Sequence, residues 1–216
     1  MTLNKGDFVS INFTGKDQEA NEVFDTTKKE VAKEHGLGNP NMDFSPITVC
    51  VGKGHVLAGL DKALVGKKET GTFSITLQPE DAFGKKQANN IKLMPLKVFH
   101  KQKINPQPGL DVNIDGVRGR VKSISGNRVV VDFNNPLSGR VIEYEVEILG
   151  KITDLKEQVT AVVSRALRFE ADITIADKKA TITLPFELPK PVQEEVTKQV
   201  TELTDITNVV YAKTKA

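Results

Sequence analysis

The chain has 216 residues, 38% of them hydrophobic and 27% charged, a composition that builds a core and excludes a disordered chain. Its formal charge is only +2, with Lys and Arg reading as scattered, so the basic stripe of a nucleic-acid binder is not expected. Cys50 is the single cysteine, which excludes a disulfide framework and a thiolate metal cage and makes a reducing, cytoplasmic compartment the expected one. Met1-Thr2-Leu3-Asn4-Lys5 leads straight into a strand pattern without the apolar stretch of a signal peptide, and no run approaches bilayer length.

In chain order, "FVSINF" (8–13) alternates Val9, Ile11 and Phe13 against Ser10 and Asn12, a strand with one buried face. A long polar connection runs from Asp25 to Ile47, with a turn of helix expected around 28–35. "ITVCV" (47–51) is a second alternating strand, and a short helix is expected over 56–64 from the spacing of Leu57, Leu60 and Leu64. "TFSITL" (72–77) alternates Phe73, Ile75 and Leu77. "IEYEVEIL" (142–149) places Tyr144, Val146 and Ile148 inward and Glu143, Glu145 and Glu147 outward. Together these strands read as one antiparallel sheet with a wet face.

Residues 85–138 break the rhythm with Pro and Gly punctuation, two or three short strands and a hairpin turn at Ser125-Gly126-Asn127. Since the first sheet's pattern resumes only afterwards, a small β domain inserted into a loop is the simplest account. From 152 the chain reads as an αββαβ set of ~65 residues, a size at which a small core is marginal alone. Its first helix carries Leu155, Val159, Val162, Val163 and Ala166, and its hairpin turns at Asp177-Lys178. Its second helix starts near Pro191 with a stripe of Val192, Val196, Val200 and Leu203, which is either internal core or a dimer seam. The expected fold class is α+β, with domains at 1–86 plus 138–151, at 87–137 and at 152–216.

"VGKGHVLAGLDKALVGKKETG" (51–71) invites comparison with a phosphate-binding loop. It lacks the Gly-Lys-Ser/Thr of a P-loop, and Gly59 falls five residues after Gly54, the wrong spacing for a dinucleotide fingerprint. The side chains it offers are Val56, Leu57, Ala58 and Leu60. An apolar rim at a helix start, with backbone N–H groups to donate, suits a neutral carbonyl better than a phosphate.

In order and spacing, four blocks resemble the FKBP-type peptidyl-prolyl isomerases: "VSINFTG" (9–15), "VFDTT" (23–27), "VGKGHVLAGLDKALVGKKETGTFSITLQPEDAFG" (51–84) and "IEYEVEIL" (142–149). The insertion, with "VDFNNPLSG" at its return, resembles the SlyD-like branch, whose insert-in-flap domain is a chaperone module, and the C-terminal part is similar to that of long archaeal members. The resemblance implies an antiparallel sheet wrapped on a short helix, and prolyl cis–trans isomerisation with no metal and no cofactor. It implies a pocket with Leu60 as floor and Phe13, Phe24, Ile47, Phe83 and Tyr144 as walls. Val56 and Leu57 would form the rim, with Leu57 N–H donating to a substrate carbonyl. Asp25 would be the polar element of the pocket, or else a turn acid capping Thr26-Thr27.

Leu60 stands where many members carry Trp, and Phe83 where many carry Tyr, which implies weaker macrolide binding. In the insert, Ile91, Leu93, Met94, Leu96, Val98, Phe99 and Ile104 either offer a client-binding patch or fill the insert's own core. The expected partners are unfolded proteins and proline-containing peptides, with no nucleic acid and no membrane. A homodimer through the C-terminal domain is a further option, and a holdase or binding module with little isomerase activity is the alternative function. His35, His55 and His100 read as dispersed surface histidines.

Overall fold

A computed structural model of the chain describes residues 1–38 and 44–214; part of the long connection after Asp25 falls outside them. The alternating segments become β1 (Phe8–Asp17), β2 (Glu22–Thr26), β3 (Ile47–Cys50) and β4 (Gly71–Leu77), with α1 (Lys29–Glu34) in the long connection and α2 (Ala58–Leu64) after the glycine loop. The expected helix at 56–64 starts two residues late, because Leu57 is held extended at φ −53° and ψ 143° and serves as its N-cap.

The inserted segment forms β5 (Ile91–Pro95), α3 (Leu96–Lys101), β6 (Asp111–Ile114), β7 (Val117–Ser125) and β8 (Arg128–Asp132). It therefore has four strands and a helix where two or three strands were expected. Pro95 ends β5 and caps α3, since a proline supplies no donor to continue a ladder but fits a helix start. The chain returns through β9 (Ile142–Ile152) and closes with α4 (Leu155–Leu167), β10 (Asp172–Ala176), β11 (Lys179–Leu184), α5 (Lys190–Leu203) and β12 (Asn208–Lys213).

Two compact units result. The first takes 1–16, 21–76 and 143–216 and the second takes 17–20 and 77–142. In the first, one sheet runs β2-β1-β9-β4, with β3 paired antiparallel to β1 in the register Phe8↔Cys50 to Ile11↔Ile47. Val9, Ile11, Val49, Val146 and Ile148 are buried on its core face, and Glu145 on β9 is exposed, as the alternation requires.

The opposite face is not wet throughout. Phe8, out of phase with Val9, and Cys50 join a cluster with Val159, Val163, Ile182 and Val200 from the C-terminal segment, which thus shares a core with the first sheet. Burial pushes the Cys50 thiol up to about 11, so it stays protonated. In that segment β11 pairs antiparallel with β10 and parallel with β12. Asp154 caps α4 by accepting from Glu157 N at 2.8 Å. Val162, Val163, Val196 and Val200 are buried there, so the valine stripe is internal core; Val192 remains 38% exposed.

The second unit is a sheet in the order β5-β8-β7-β6. Its core is Phe99, Val112, Ile114, Val121, Val129 and Val131, with α3 contributing Phe99 at 0% exposure. The basic residues are not evenly scattered: residues 85–142 hold eleven Lys and Arg against three Asp, a charge of +8, so the rest of the chain carries −6.

Candidate active site

The glycine-rich loop is organised around a carboxylate and not around an anion. Gly52 and Gly54 take φ +75° and +70°, a left-handed conformation that suits glycine. This curls the loop so that Gly52 N donates to Asp61 Oδ1 and Gly54 N to Asp61 Oδ2, both at 2.8 Å. Asp61 is buried on α2, so the loop and the helix are tied by one side chain. His55 is buried as well, 8% exposed, which corrects the expectation of a surface histidine; His35 and His100 are exposed. Cys50 N donates to His55 Nδ1 at 3.1 Å, so that nitrogen is unprotonated. Desolvation lowers the His55 pKa, as does the Arg165 guanidinium, while Asp61 opposes them.

On the other side of the sheet, the sequence Phe13-Thr14-Gly15 sets the aromatic wall. Phe13 is nearly buried at the inward position of β1, and the end of β2 locks its backbone. Phe13 N donates to Thr27 Oγ1 at 2.9 Å, while Phe13 O accepts from Thr27 N and Thr26 Oγ1, each at 3.0 Å. Thr26 and Thr27 are themselves buried, so these bonds are internal supports, and the Thr26 backbone also donates to the Asp25 carboxylate.

Tyr144, 4% exposed on β9, meets both neighbouring rings edge-on: Phe13 at 5.7 Å and 65°, Phe24 at 6.0 Å and 88°. Gly15 makes this approach feasible. A Cβ there would lie 2.8 Å from both Phe24 Cζ and Tyr144 Cε1. Desolvation raises the Tyr144 pKa and the Asp25 charge raises it further, so Tyr144 remains a neutral phenol.

Beside these rings opens a cavity of about 390 Å³, lined by Phe13, Phe24, Ile47, Leu37 and Phe44 with Asp25 at its edge. Its size is that of a small-ligand pocket. Asp25 keeps an exposed edge, yet desolvation by the surrounding protein raises its pKa, against a backbone hydrogen bond from Thr26.

Of the sequence-derived residues, Phe13, Phe24, Asp25 and Ile47 meet in this cavity, and Tyr144 packs on the rings behind it. Leu60 is buried on α2, and Val56 and Leu57 are half-buried ahead of it; none of the three lines the cavity among the described residues. Phe83 lies in the second unit, half-buried, and its carbonyl accepts from Ser138 Oγ at 3.1 Å. Sequence reasoning passed over Gly15, Leu37 and Phe44. A glycine inside a strand of bulky residues is a legible sign of close approach, and Phe44 is a lone aromatic in a polar connection.

In the insert, Ile91 and Leu93 are exposed at 37% and 56%, whereas Met94, Leu96, Val98 and Ile104 pack partly against the core around Phe99. Phe99 is thus core and cannot be part of an exposed patch.

Comparison with known proteins gives this arrangement its family. The sequence model of FKBP-type peptidyl-prolyl cis-trans isomerases matches residues 1–100, and that of the IF domain of FKBP26 matches 92–137. The chain is similar to a probable FKBP-type 16 kDa peptidyl-prolyl cis-trans isomerase of Pseudomonas fluorescens, 33% identical over 112 residues that cover 50% of this chain and 73% of the relative. The chain belongs to the FKBP-type peptidyl-prolyl cis-trans isomerase family. A short-type peptidyl-prolyl cis-trans isomerase of Methanocaldococcus jannaschii is 27% identical over 150 residues, 68% of this chain and 92% of the relative. The isomerase SlyD of Haemophilus influenzae is 30% identical over 108 residues, 49% of this chain and 57% of the relative. The chain is accordingly an isomerase of peptide bonds preceding proline, and the match over residues 92–137 supports the presence of an insert-in-flap domain.

Proposed function

We propose that the cavity beside Phe13, Phe24 and Ile47 receives the proline of an X–Pro segment. The observation that carries this reading is the pair of ring contacts that Gly15 permits, next to an apolar cavity with one carboxylate at its edge.

Isomerisation requires the C–N bond to lose its partial double-bond character, a barrier of about 18–20 kcal/mol. The twisted amide has less charge separation than the planar one, so an apolar site raises the planar state relative to the twisted state. Holding the proline ring against aromatic walls adds orientation. Asp25 biases the twisted amide from the cavity edge, Leu57 N–H donates to a substrate carbonyl, and Leu60 underlies the site with Val56 at the rim. No nucleophile is needed.

The insert serves as the client-binding module, with Ile91 and Leu93 among its exposed apolar residues. Tethering on one chain raises the effective concentration of client prolines at the isomerase unit. A homodimer through the C-terminal segment is supported by the exposed rings of Phe169 and Phe186, 5.2 Å apart and T-shaped, and a monomer in sedimentation at micromolar concentration rules it out. The cytoplasm is the proposed site of action.

The test is acceleration of a proline-limited refolding reaction, compared with isomerisation of a short prolyl peptide. Asp25→Ala is expected to lower both by about tenfold, roughly 1.4 kcal/mol of transition-state stabilisation. Replacing residues 88–136 with a short linker is expected to lower the refolding rate far more than the peptide rate. Suppressed aggregation without acceleration of either substrate rejects the catalytic reading of this cavity.

A further inference from the structure

Five of the eleven cations in residues 85–142 line one groove. A cavity of about 670 Å³ in the second unit is lined by Lys86, Arg118, Arg120, Lys122 and Arg140, together with Asp111 and Asp132. Both carboxylates are already engaged. Asp111 takes a two-pronged contact from Arg120, at 2.6 Å to Nε and 3.0 Å to Nη2. Asp132 accepts from Asn134 N at 2.9 Å and Asn134 Nδ2 at 2.7 Å, with Lys122 Nζ 4.0 Å away. Arg140 is paired with Asp17 and Glu19. Lys86 acts on Asp132 through its charge without a close ion pair, and Arg118 makes no ion pair among the described residues. A cleft with unpaired cations focuses a positive field on whatever enters it.

The strand register then joins this charge to an apolar edge. Asp132 on β8 faces Arg120 on β7 and Ile91 on β5, while the neighbouring Val130 faces Ser123 and Leu93. Directly paired residues share a face of a sheet, so Ile91, Leu93 and Val130 adjoin the basic groove on one surface. Among the described residues no aromatic side chain lines the groove. A groove for single-stranded nucleic acid would place rings there for base stacking.

We propose that this surface binds extended acidic polypeptide segments with interspersed apolar residues, so that the module selects unfolded clients by negative charge as well as by hydrophobicity. The inference rests on the client-binding reading of the insert and adds the chemical class of the client. Acidic side chains meet Lys86 and Arg118, and apolar ones meet Leu93 and Ile91. The interaction is salt-sensitive, because the cations are exposed and screened within about 10 Å at 0.1 M salt.

The experiment uses the full chain and fluorescence anisotropy with three labelled probes: an unstructured peptide of interspersed Glu and Leu, the same peptide with Lys for Glu, and an oligouridylate. The Glu/Leu peptide is expected to bind at least about tenfold tighter than the Lys/Leu peptide and to weaken about tenfold on a tenfold rise in salt. Lys86→Glu with Arg118→Glu abolishes that preference and leaves turnover of a short prolyl peptide unchanged, which also reports that the chain is folded. Leu93→Ser weakens both peptides. Equal binding of both peptides, lost on Leu93→Ser, overturns the charge inference while the client reading stands. Tighter binding of the oligouridylate, displacing the peptide, overturns it in favour of nucleic acid. If neither peptide binds while isomerisation persists, the client reading falls and this inference with it.

Discussion

The cavity proposed to receive proline and the groove of the insert are built on opposite terms. The cavity is the smaller, about 390 Å³ against 670 Å³, and its aromatic walls are held by buried contacts that depend on one another. Thr26 and Thr27 hold the Phe13 backbone, Gly15 admits Phe24 and Tyr144, and Asp61 ties the loop to α2. The groove presents exposed Lys and Arg on one sheet, with Arg120–Asp111 as a surface pair. A site that must favour one amide geometry needs fixed walls. A surface that takes many chains needs only charge, apolar area and freedom to adjust.

That contrast makes substitutions expensive on one side and inexpensive on the other. The largest effect is expected from Asp61→Ala. It strands the N–H groups of Gly52 and Gly54, and at roughly 1.5 kcal/mol for each charge-assisted bond it costs about 3 kcal/mol in chemical denaturation.

Gly15→Ala comes next. The added methyl meets two rings at 2.8 Å, so overpacking is expected to cost about 2 kcal/mol and to lower isomerisation of a short peptide while leaving binding to the insert unchanged. Wild-type stability with Ala at this position would show that the rings move freely and that the wall is not rigid.

His55 gives a smaller, pH-dependent effect. Its folded pKa lies below the ordinary 6.5, so above that value neither state binds the proton and pH has no effect through this group. As pH falls below 6.5, the unfolded chain takes up a proton that the fold resists, and stability declines. His55→Phe is expected to flatten that part of the stability–pH curve, at the expense of the bond from Cys50 N. On the groove side, Asp111→Ser is expected to leave the denaturation midpoint unchanged, since its Arg120 pair is fully exposed, and to tighten binding of an acidic peptide. A clear loss of stability there would end the contrast.

Much of the isomerase half was legible before any coordinates. Strand alternation placed Val9, Ile11, Phe13, Tyr144, Val146 and Ile148, because a period of two dictates which residues share a face whatever the sheet packs against. The order of four motif blocks pointed to the family, and Phe13, Phe24, Asp25 and Ile47 meet in one cavity. Less legible was everything that depends on a distant partner. Phe8 reads as an outward residue until the C-terminal helices and strands cover it. His55 reads as a surface histidine until the loop curls onto Asp61 and buries it against the Cys50 amide. The helix after Pro95 is not legible in the sequence, because so short a segment has no period long enough to mark a single helical turn.

The sequence by itself therefore determined the strands of the first sheet, the family and the apolar character of the proposed pocket, all of them consequences of local spacing and residue type. Tertiary structure alone decided that Gly15 is the opening through which three rings meet, and that cations far apart in sequence line a single groove. Both depend on strand register, which is fixed by packing and by pairing between segments, so that no single segment names its partners.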